Sequence, residues 1–96
     1  MIKVVAQNYI KADKVEEFIV LAEKLVQATR KNDAGCIRYE LLQEVENPQI
    51  LTMLEEWEDQ EALNQHAASR HCKEVASRFA DFMEKPAEMH IYQLLA

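Results

Sequence analysis

Basic residues are fewer than acidic ones in this sequence of 96 residues. Lysine and arginine together number 11, against 17 aspartates and glutamates, which leaves a formal net charge of −6. Affinity for nucleic acid comes largely from clustered Lys and Arg side chains that release counterions from phosphates. The charge balance therefore argues against a nucleic-acid-binding protein, and it also disfavours adhesion to an anionic membrane.

Long apolar runs and paired cysteines are missing as well. No apolar segment approaches the ~20 residues that span a bilayer, and the N-terminal residues lack the apolar core and cleavage site of a secretion signal. The two cysteines, Cys36 and Cys72, have no CxxC spacing. This favours small buried thiols in a reducing compartment over a disulfide or zinc site. We predict a soluble, cytoplasmic protein with no membrane partner and no bound metal.

The length predicts one domain over residues 1–96, near the lower limit at which a single core is stable without a partner subunit. With 49% apolar and 29% charged residues, the composition is that of an ordinary globular protein. No internal repeat or linker divides the chain.

The first third of the chain reads as a strand followed by a helix. Residues 2–10 are rich in β-branched residues, and Asn8 stands alone on their otherwise apolar even-numbered face. Asp13 and Glu16 have the spacing of a helix capping box. Apolar side chains then recur with helical periodicity up to a turn at Gly35, the single glycine: Val15, Phe18, Ile19, Ala22, Leu25 and Val26.

Two further strands follow. Residues 36–45 alternate, with Ile37, Tyr39, Leu41 and Val45 on the apolar side. Residues 46–49 supply a turn with Pro48, and residues 50–57 return as a strand that is partly apolar on both faces.

The last third reads as a broken helix and a final strand. Asp59 can cap a helix that runs to His66, and Ser69 can cap the next one, so a break is predicted at 67–69. Pro86 should end the helical run, and residues 89–95 should form the last strand.

The element order β-α-β-β-α-β predicts an α+β, ferredoxin-like fold. Strand-helix-strand units pack right-handed, so two in series give a four-stranded antiparallel sheet with helices on one face. The other face carries Val5, Tyr9 and apolar residues of the third strand. Because large exposed apolar patches are uncommon on monomers, we predict a homodimer joined sheet to sheet.

Three segments, GCIRYELLQ, NPQILTMLEEW and EDQEALNQHAASRH, resemble the antibiotic biosynthesis monooxygenase family of small dimeric α+β barrels. The resemblance covers nearly the whole chain, and its most specific parts are Glu55-x-Trp57 and His66-x-x-Ser69-x-His71. It implies a pocket between helices and sheet, in which some members oxidise phenols or quinols with dioxygen and without metal or flavin. Relatives with this fold degrade haem, isomerise signalling sugars or have no assigned reaction, so the fold alone does not fix the chemistry.

Oxidation of this kind requires a base, a hydrogen-bond donor for the resulting anion and an apolar slot for the ring. His66 is the candidate base, because imidazole titrates near neutrality. Asn8 is the candidate amide donor, and it matches an asparagine of the haem-degrading and phenol-oxidising branches. The structural alternatives are a histidine that only bonds the frayed helix end and a buried amide tied to the backbone.

Three further residues are candidate substrate contacts. Trp57 could stack on a flat substrate, Glu55 could orient a histidine or touch substrate, and Tyr39 could line the pocket. Each also has a structural interpretation, as core or as a partnered carboxylate. His71 is expected to be structural, because a continuous helix would turn it through about 140° away from His66.

The resemblance places the iron-binding histidine of the haem degraders near Val75 and Ala76, where this chain has none. His90 on the last strand is no substitute. This argues against haem degradation. The resemblance then implies, as the leading prediction, a monooxygenase without a cofactor that acts on a small aromatic or quinol substrate with dioxygen. An isomerase of a small sugar-like ligand and a non-catalytic ligand-binding dimer remain the alternatives.

Overall fold

The β-rich and amphipathic segments form four strands and three α-helices in the computed structural model, which describes residues 1–96. Two short 3-10 turns, Ala12–Lys14 and Ala80–Phe82, complete the chain. The elements in order are β1 (Ile2–Ile10), α1 (Val15–Asn32), β2 (Cys36–Gln43), β3 (Ile50–Trp57), α2 (Gln60–Ala68), α3 (Arg70–Phe79) and β4 (Met83–Gln93).

The strands form one sheet in the order β2-β3-β1-β4, and every neighbouring pair is antiparallel. This is the ferredoxin-like arrangement that the element order predicts, and the prediction is confirmed. No helix is both long and apolar enough to cross a membrane.

The helices cover the sheet face formed by the even-numbered residues of β1 and the odd-numbered residues of β3. The β1 and β3 residues on this face are apolar except for Asn8 and Glu55. On β1 they are buried from Val4 to Ile10, and on β3 from Leu51 to Trp57. Period-two alternation in the sequence therefore determines which side chains meet the helices.

The opposite sheet face carries no helix. Val5 lies beside Leu54, and Tyr9 beside Ile50, in the register of β1 and β3; all four are only half-buried. Glu56 on this face pairs with Arg38 at 3.3 Å. The sheet-to-sheet homodimer would cover these side chains, and it stays a prediction.

Two of the three predicted helix caps are confirmed. The Ala62 N–H donates to Asp59 Oδ1 at 2.8 Å, and the Cys72 N–H donates to Ser69 Oγ at 3.2 Å, so the helix breaks where predicted. The capping box at Asp13 is wrong, because Asp13 lies in a 3-10 turn that precedes α1 and caps nothing. In that turn the Lys14 N–H donates to the Lys11 carbonyl at 2.9 Å.

The last strand begins earlier than the proline predicts. The helical run ends at Phe82, and β4 starts at Met83 and contains Pro86. Pairing between β1 and β4 is irregular around this point, and an edge strand tolerates a residue without an N–H. Strand β2 also differs from the prediction at both ends. It ends at Gln43, so Val45 lies exposed in the turn. Ile37 is exposed because the pairing with β3 is irregular between Cys36 and Arg38.

Gly35 sets the approach of β2 to α2. Its φ of +81° is a conformation that L-residues rarely adopt, and a Cβ there would lie 2.6 Å from the Cβ of Ala62. The predicted tight turn is present, and glycine is required for both its backbone and its lack of a side chain. The turn holds the end of α1 next to the helix that carries His66.

Candidate functional site

A cavity of about 430 Å³ lies between the sheet and the helices α2 and α3. Its lining is mostly apolar, with Ala6 and Met53 on the sheet side and Leu63 and Phe79 on the helix side. Met89 and Ile91 of β4 also line it and are 62% and 53% exposed. The cavity therefore opens along the edge strand, beyond the cover of the helices.

Four of the five candidate residues line this one cavity: Asn8, Tyr39, Glu55 and His66. They come from three strands and one helix, and all four are buried. The fifth, Trp57, is fully buried and does not line the cavity. Its place is behind the wall, where it supports His66 and Glu55 rather than forming the predicted stacking surface.

His66 is held in the last turn of α2 by contacts on three sides. Its Nδ1 lies 2.6 Å from Asp33 Oδ2, and its ring centroid lies 4.7 Å from that of Trp57 and 5.1 Å from that of Tyr39. Because a carboxylate only accepts, Nδ1 carries the hydrogen and Nε2 keeps its lone pair. His66 thus has the tautomer of a base, with Nε2 free of any protein hydrogen bond.

The surroundings of His66 favour its neutral form. Burial, the largest cause, lowers the pKa of the imidazole; the hydrogen bond and charge of Asp33 oppose this shift, and His71 adds to it. A neutral imidazole can accept a proton, and the ionised Asp33 can then stabilise the imidazolium that forms.

His71 shares the same carboxylate, which the sequence did not predict. Its Nε2 lies 2.9 Å from Asp33 Oδ1, and its ring centroid is 6.1 Å from that of His66. The expectation that the two histidines point apart is wrong, because the extended backbone of Ser69 breaks the helix between them. His71 is a second hydrogen-bond donor to Asp33 and helps to fix the orientation of its carboxylate, which is consistent with the predicted structural role.

Asp33 is the site residue that sequence reasoning missed. It follows α1 directly and lies just before the Gly35 turn. The only local signal was an acidic residue at that turn, and nothing in the spacing connects it with histidines more than 30 residues away. Asp33, His66 and His71 are also a group whose ligand atoms, all within 4.8 Å of one another, could hold a metal ion. In the present arrangement these atoms are joined by hydrogen bonds.

The amide nitrogen of Asn8, the predicted donor, already makes two hydrogen bonds within the protein. Its Nδ2 donates to the carbonyl oxygens of Leu51 at 3.1 Å and Ala6 at 3.3 Å, which uses both of its N–H groups. The carbonyl oxygen Oδ1 remains, so Asn8 can offer the cavity an acceptor. The alternative of a buried amide tied to the backbone describes its nitrogen, and the geometry leaves Oδ1 rather than Nδ2 available to a ligand.

Glu55 is a buried carboxyl without a cationic partner. Trp57 Nε1 donates to its Oε1 at 3.0 Å, and no Lys, Arg or His lies within ion-pair distance. Burial raises its pKa to about 7, although the Trp57 bond acts in the opposite direction. Burial likewise raises the pKa of Tyr39 far above its usual value, so the Tyr39 hydroxyl stays protonated and can donate.

Replacing Glu55 with glutamine is expected to stabilise the fold most at alkaline pH. The pKa of the Glu55 carboxyl rises from its ordinary value of 4.5 to about 7 in the folded protein. The contribution of Glu55 to the free energy of unfolding is therefore fully present below pH 4.5 and is lost as the pH rises through 7. At about 1.4 kcal/mol per unit, the gain from Glu55→Gln should be about 2–3 kcal/mol larger at pH 8 than at pH 5. Urea unfolding at the two pH values measures it.

Glu23, an exposed glutamate on α1, provides the matched control. Glu23→Gln should give no pH-dependent gain in the free energy of unfolding. Equal gains for Glu55→Gln at pH 5 and pH 8 would mean that the buried carboxyl has an ordinary pKa.

The fold and the cavity define a class, that of small ferredoxin-like α+β domains with a pocket between helices and sheet. The model of the antibiotic biosynthesis monooxygenase family matches residues 1–78. The chain therefore belongs to this family, and the predicted resemblance is confirmed.

The chain is also similar to individual proteins over most of its length. A crystal structure of a conserved protein from Methanosarcina mazei Go1 is 46% identical, with a TM-score of 0.92 over 96% of this chain and 90% of that one. The "Putative monooxygenase YcnE" of Bacillus subtilis is 31% identical over 90% of this chain and 92% of its own length. The "Uncharacterized protein sll1783" of Synechocystis is 33% identical over 95% of this chain, which spans 62% of that relative.

Proposed function

We propose that this protein is a cofactor-independent monooxygenase that oxidises a small quinol-type aromatic with dioxygen and works as a homodimer. The observation that carries the proposal is one mostly apolar cavity whose lining includes a few buried polar side chains. The register of β1 and β3 separates Asn8 from Glu55 along the sheet side of this cavity, and Trp57 contacts both Glu55 and His66. Such a cavity fits a flat ring system with an oxygen at each end.

The spacing of Asn8 and Glu55 follows from the sheet register. Val4 is the β1 partner of Glu55, and Asn8 lies four residues farther along β1. At about 3.3 Å per residue this separates the backbone positions of Glu55 and Asn8 by about 13 Å along the sheet. Asn8 and His66 therefore serve different oxygens of one substrate, since the amide carbonyl accepts a hydrogen bond from the far hydroxyl while the imidazole faces the near one.

The imidazole supplies the step that dioxygen requires. Dioxygen reacts poorly with closed-shell molecules, but a phenolate can pass it one electron. His66 Nε2 takes the near hydroxyl proton, and the Tyr39 hydroxyl, which makes no hydrogen bond within the protein, can donate to the phenolate oxygen. A quinol with a ring C–H beside this oxygen then combines with one O₂ to give a hydroxyquinone and one water. The ring supplies all four electrons.

Water exclusion is the third requirement. The cavity walls are mainly aliphatic and aromatic side chains, and a dry site strengthens every hydrogen bond to the anion. The open mouth at Met89 and Ile91 admits a flat apolar molecule. The homodimer is proposed on separate grounds, from the apolar side chains of the helix-free sheet face, including Val5, Tyr9 and Leu54.

The test is oxygen consumption by purified, metal-stripped protein that shows no flavin or haem absorbance. We expect menadiol to be oxidised faster than in a protein-free control, with one oxygen atom of ¹⁸O₂ recovered in the hydroxyquinone. Turnover of a sugar-like ligand without oxygen uptake would instead establish the isomerase alternative. Ligand binding without any turnover, unaffected by loss of His66, would establish the binding-protein alternative.

A further inference from the structure

Glu55 is out of place as a purely structural residue. A carboxyl group on a central strand is only 5% exposed, in a cavity lined mainly by apolar side chains, and it has no cation beside it. Burying a carboxylate without a partner is costly, so such groups are rare outside functional sites. The single bond from Trp57 occupies Oε1, and Oε2 has no hydrogen-bond partner within the protein.

The position of Glu55 matches a second proton transfer. Tyr39 and Val4 flank it across the sheet, and Trp57, which donates to it, packs against the His66 ring at 4.7 Å between centroids. Glu55 and His66 are thus held by one indole at the same end of the cavity. The sheet carries the carboxyl, and α2 carries the imidazole.

Resting on the proposed function, we infer that Glu55 is a second proton-transfer group that breaks the carbon–hydrogen bond of the oxygenated intermediate. In the first stage, His66 takes the hydroxyl proton, and after O₂ adds to the neighbouring ring carbon it returns that proton to the peroxide oxygen. This yields a carbon that bears both H and OOH. His66 is regenerated at this point.

In the second stage the carboxylate of Glu55 takes the proton from that carbon. The C–H electron pair forms the C=O bond, the O–O bond breaks, and Glu55 gives its proton to the departing hydroxide. The products are the hydroxyquinone, after tautomerisation, and one water, and Glu55 returns to its starting state. His66 and Glu55 thus each accept one proton and later donate it. Atoms and electrons balance without a further reactant.

The hydroperoxide intermediate reacts differently when no base removes the carbon-bound proton. It can lose hydrogen peroxide, with the far hydroxyl supplying the proton, and leave the simple quinone. The two routes therefore differ in product, and the ratio of hydroxyquinone to hydrogen peroxide reports on Glu55 alone. Oxygen uptake itself reports on His66.

The experiment compares the unmodified protein with Glu55→Gln, using menadiol and ¹⁸O₂. The glutamine carbonyl can still accept the Trp57 N–H, so the fold and the indole position are kept. We expect Glu55→Gln to consume oxygen within a few-fold of the normal rate but to lower the hydroxyquinone fraction by about 10-fold or more. Catalase should then return oxygen from the accumulated peroxide.

Two further variants control the comparison. Glu55→Asp keeps the carboxyl but withdraws it by one methylene, so it should retain part of the hydroxyquinone fraction. Glu23→Gln should match the unmodified protein. A normal hydroxyquinone fraction in folded Glu55→Gln overturns the inference while the proposed function stands, and absence of oxygen uptake by the unmodified protein overturns both.

The pH dependence gives an independent readout. Because the carboxylate form is required and its pKa is about 7, the hydroxyquinone fraction of the unmodified protein should fall as the pH drops below 7. In Glu55→Gln the low fraction should not change with pH. A purely structural Glu55 would leave the product ratio of the unmodified protein flat.

Discussion

Replacing His66 with glutamine is expected to lower kcat for quinol oxidation by about 10²–10⁴-fold, the usual contribution of a general base. His66 is the one imidazole on the cavity wall, and its Nδ1–H is tied to Asp33, which leaves Nε2 for the substrate. Glutamine fills similar space but cannot accept a proton near neutral pH. Initial rates of oxygen uptake at saturating menadiol measure the loss.

Gln65 supplies the matched control for this change. It precedes His66 on α2 and is exposed, so Gln65→Ala should leave kcat within about two-fold, as for a surface substitution. A His66→Gln protein that folds normally and retains the full rate would exclude His66 as the base. A large rise in KM with unchanged kcat would assign it to binding alone.

Local patterns in the sequence were sufficient for most of the fold. The caps at Asp59 and Ser69 are set by residues three positions away, and the buried face of β1 follows from strict alternation. The apolar stripe of the first helix likewise predicted the face of α1 that is buried. Caps and periodic patterns depend on residues a few positions apart, so the sequence alone was sufficient to predict them.

Contacts between residues far apart in the sequence could not be predicted from local patterns. The bond between Asp33 and His66 joins residues 33 positions apart, and it depends on how the Gly35 turn docks against Ala62. The amide of Asn8 is committed to the Leu51 carbonyl, 43 positions away, so its donor role could not be judged from residue type. The sequence identified four residues that line the cavity, Asn8, Tyr39, Glu55 and His66. Only the strand register and the docking of α2 show which of their atoms remain free.

Replacing Asp33 with asparagine is the second prediction with a large expected effect. Asparagine can turn its amide nitrogen toward His66 and donate to Nδ1, which would move the imidazole hydrogen to Nε2, the atom that faces the substrate. A base in the wrong tautomer costs as much as ~10⁴-fold in the triad of serine proteases. We expect a loss of about 10²-fold or more in kcat here, with KM little changed, measured by oxygen uptake.

A structural role for Asp33 would give different results. Nitrogen-15 NMR of the imidazole should show hydrogen on Nδ1 of His66 in the unmodified protein and on Nε2 in Asp33→Asn, while circular dichroism stays unchanged. His71→Gln keeps an N–H donor near the same carboxylate, so it should leave the His66 tautomer intact and cost far less in kcat. If Asp33→Asn kept both the Nδ1–H signal and the normal rate, the carboxylate would be holding the helix ends together and nothing more.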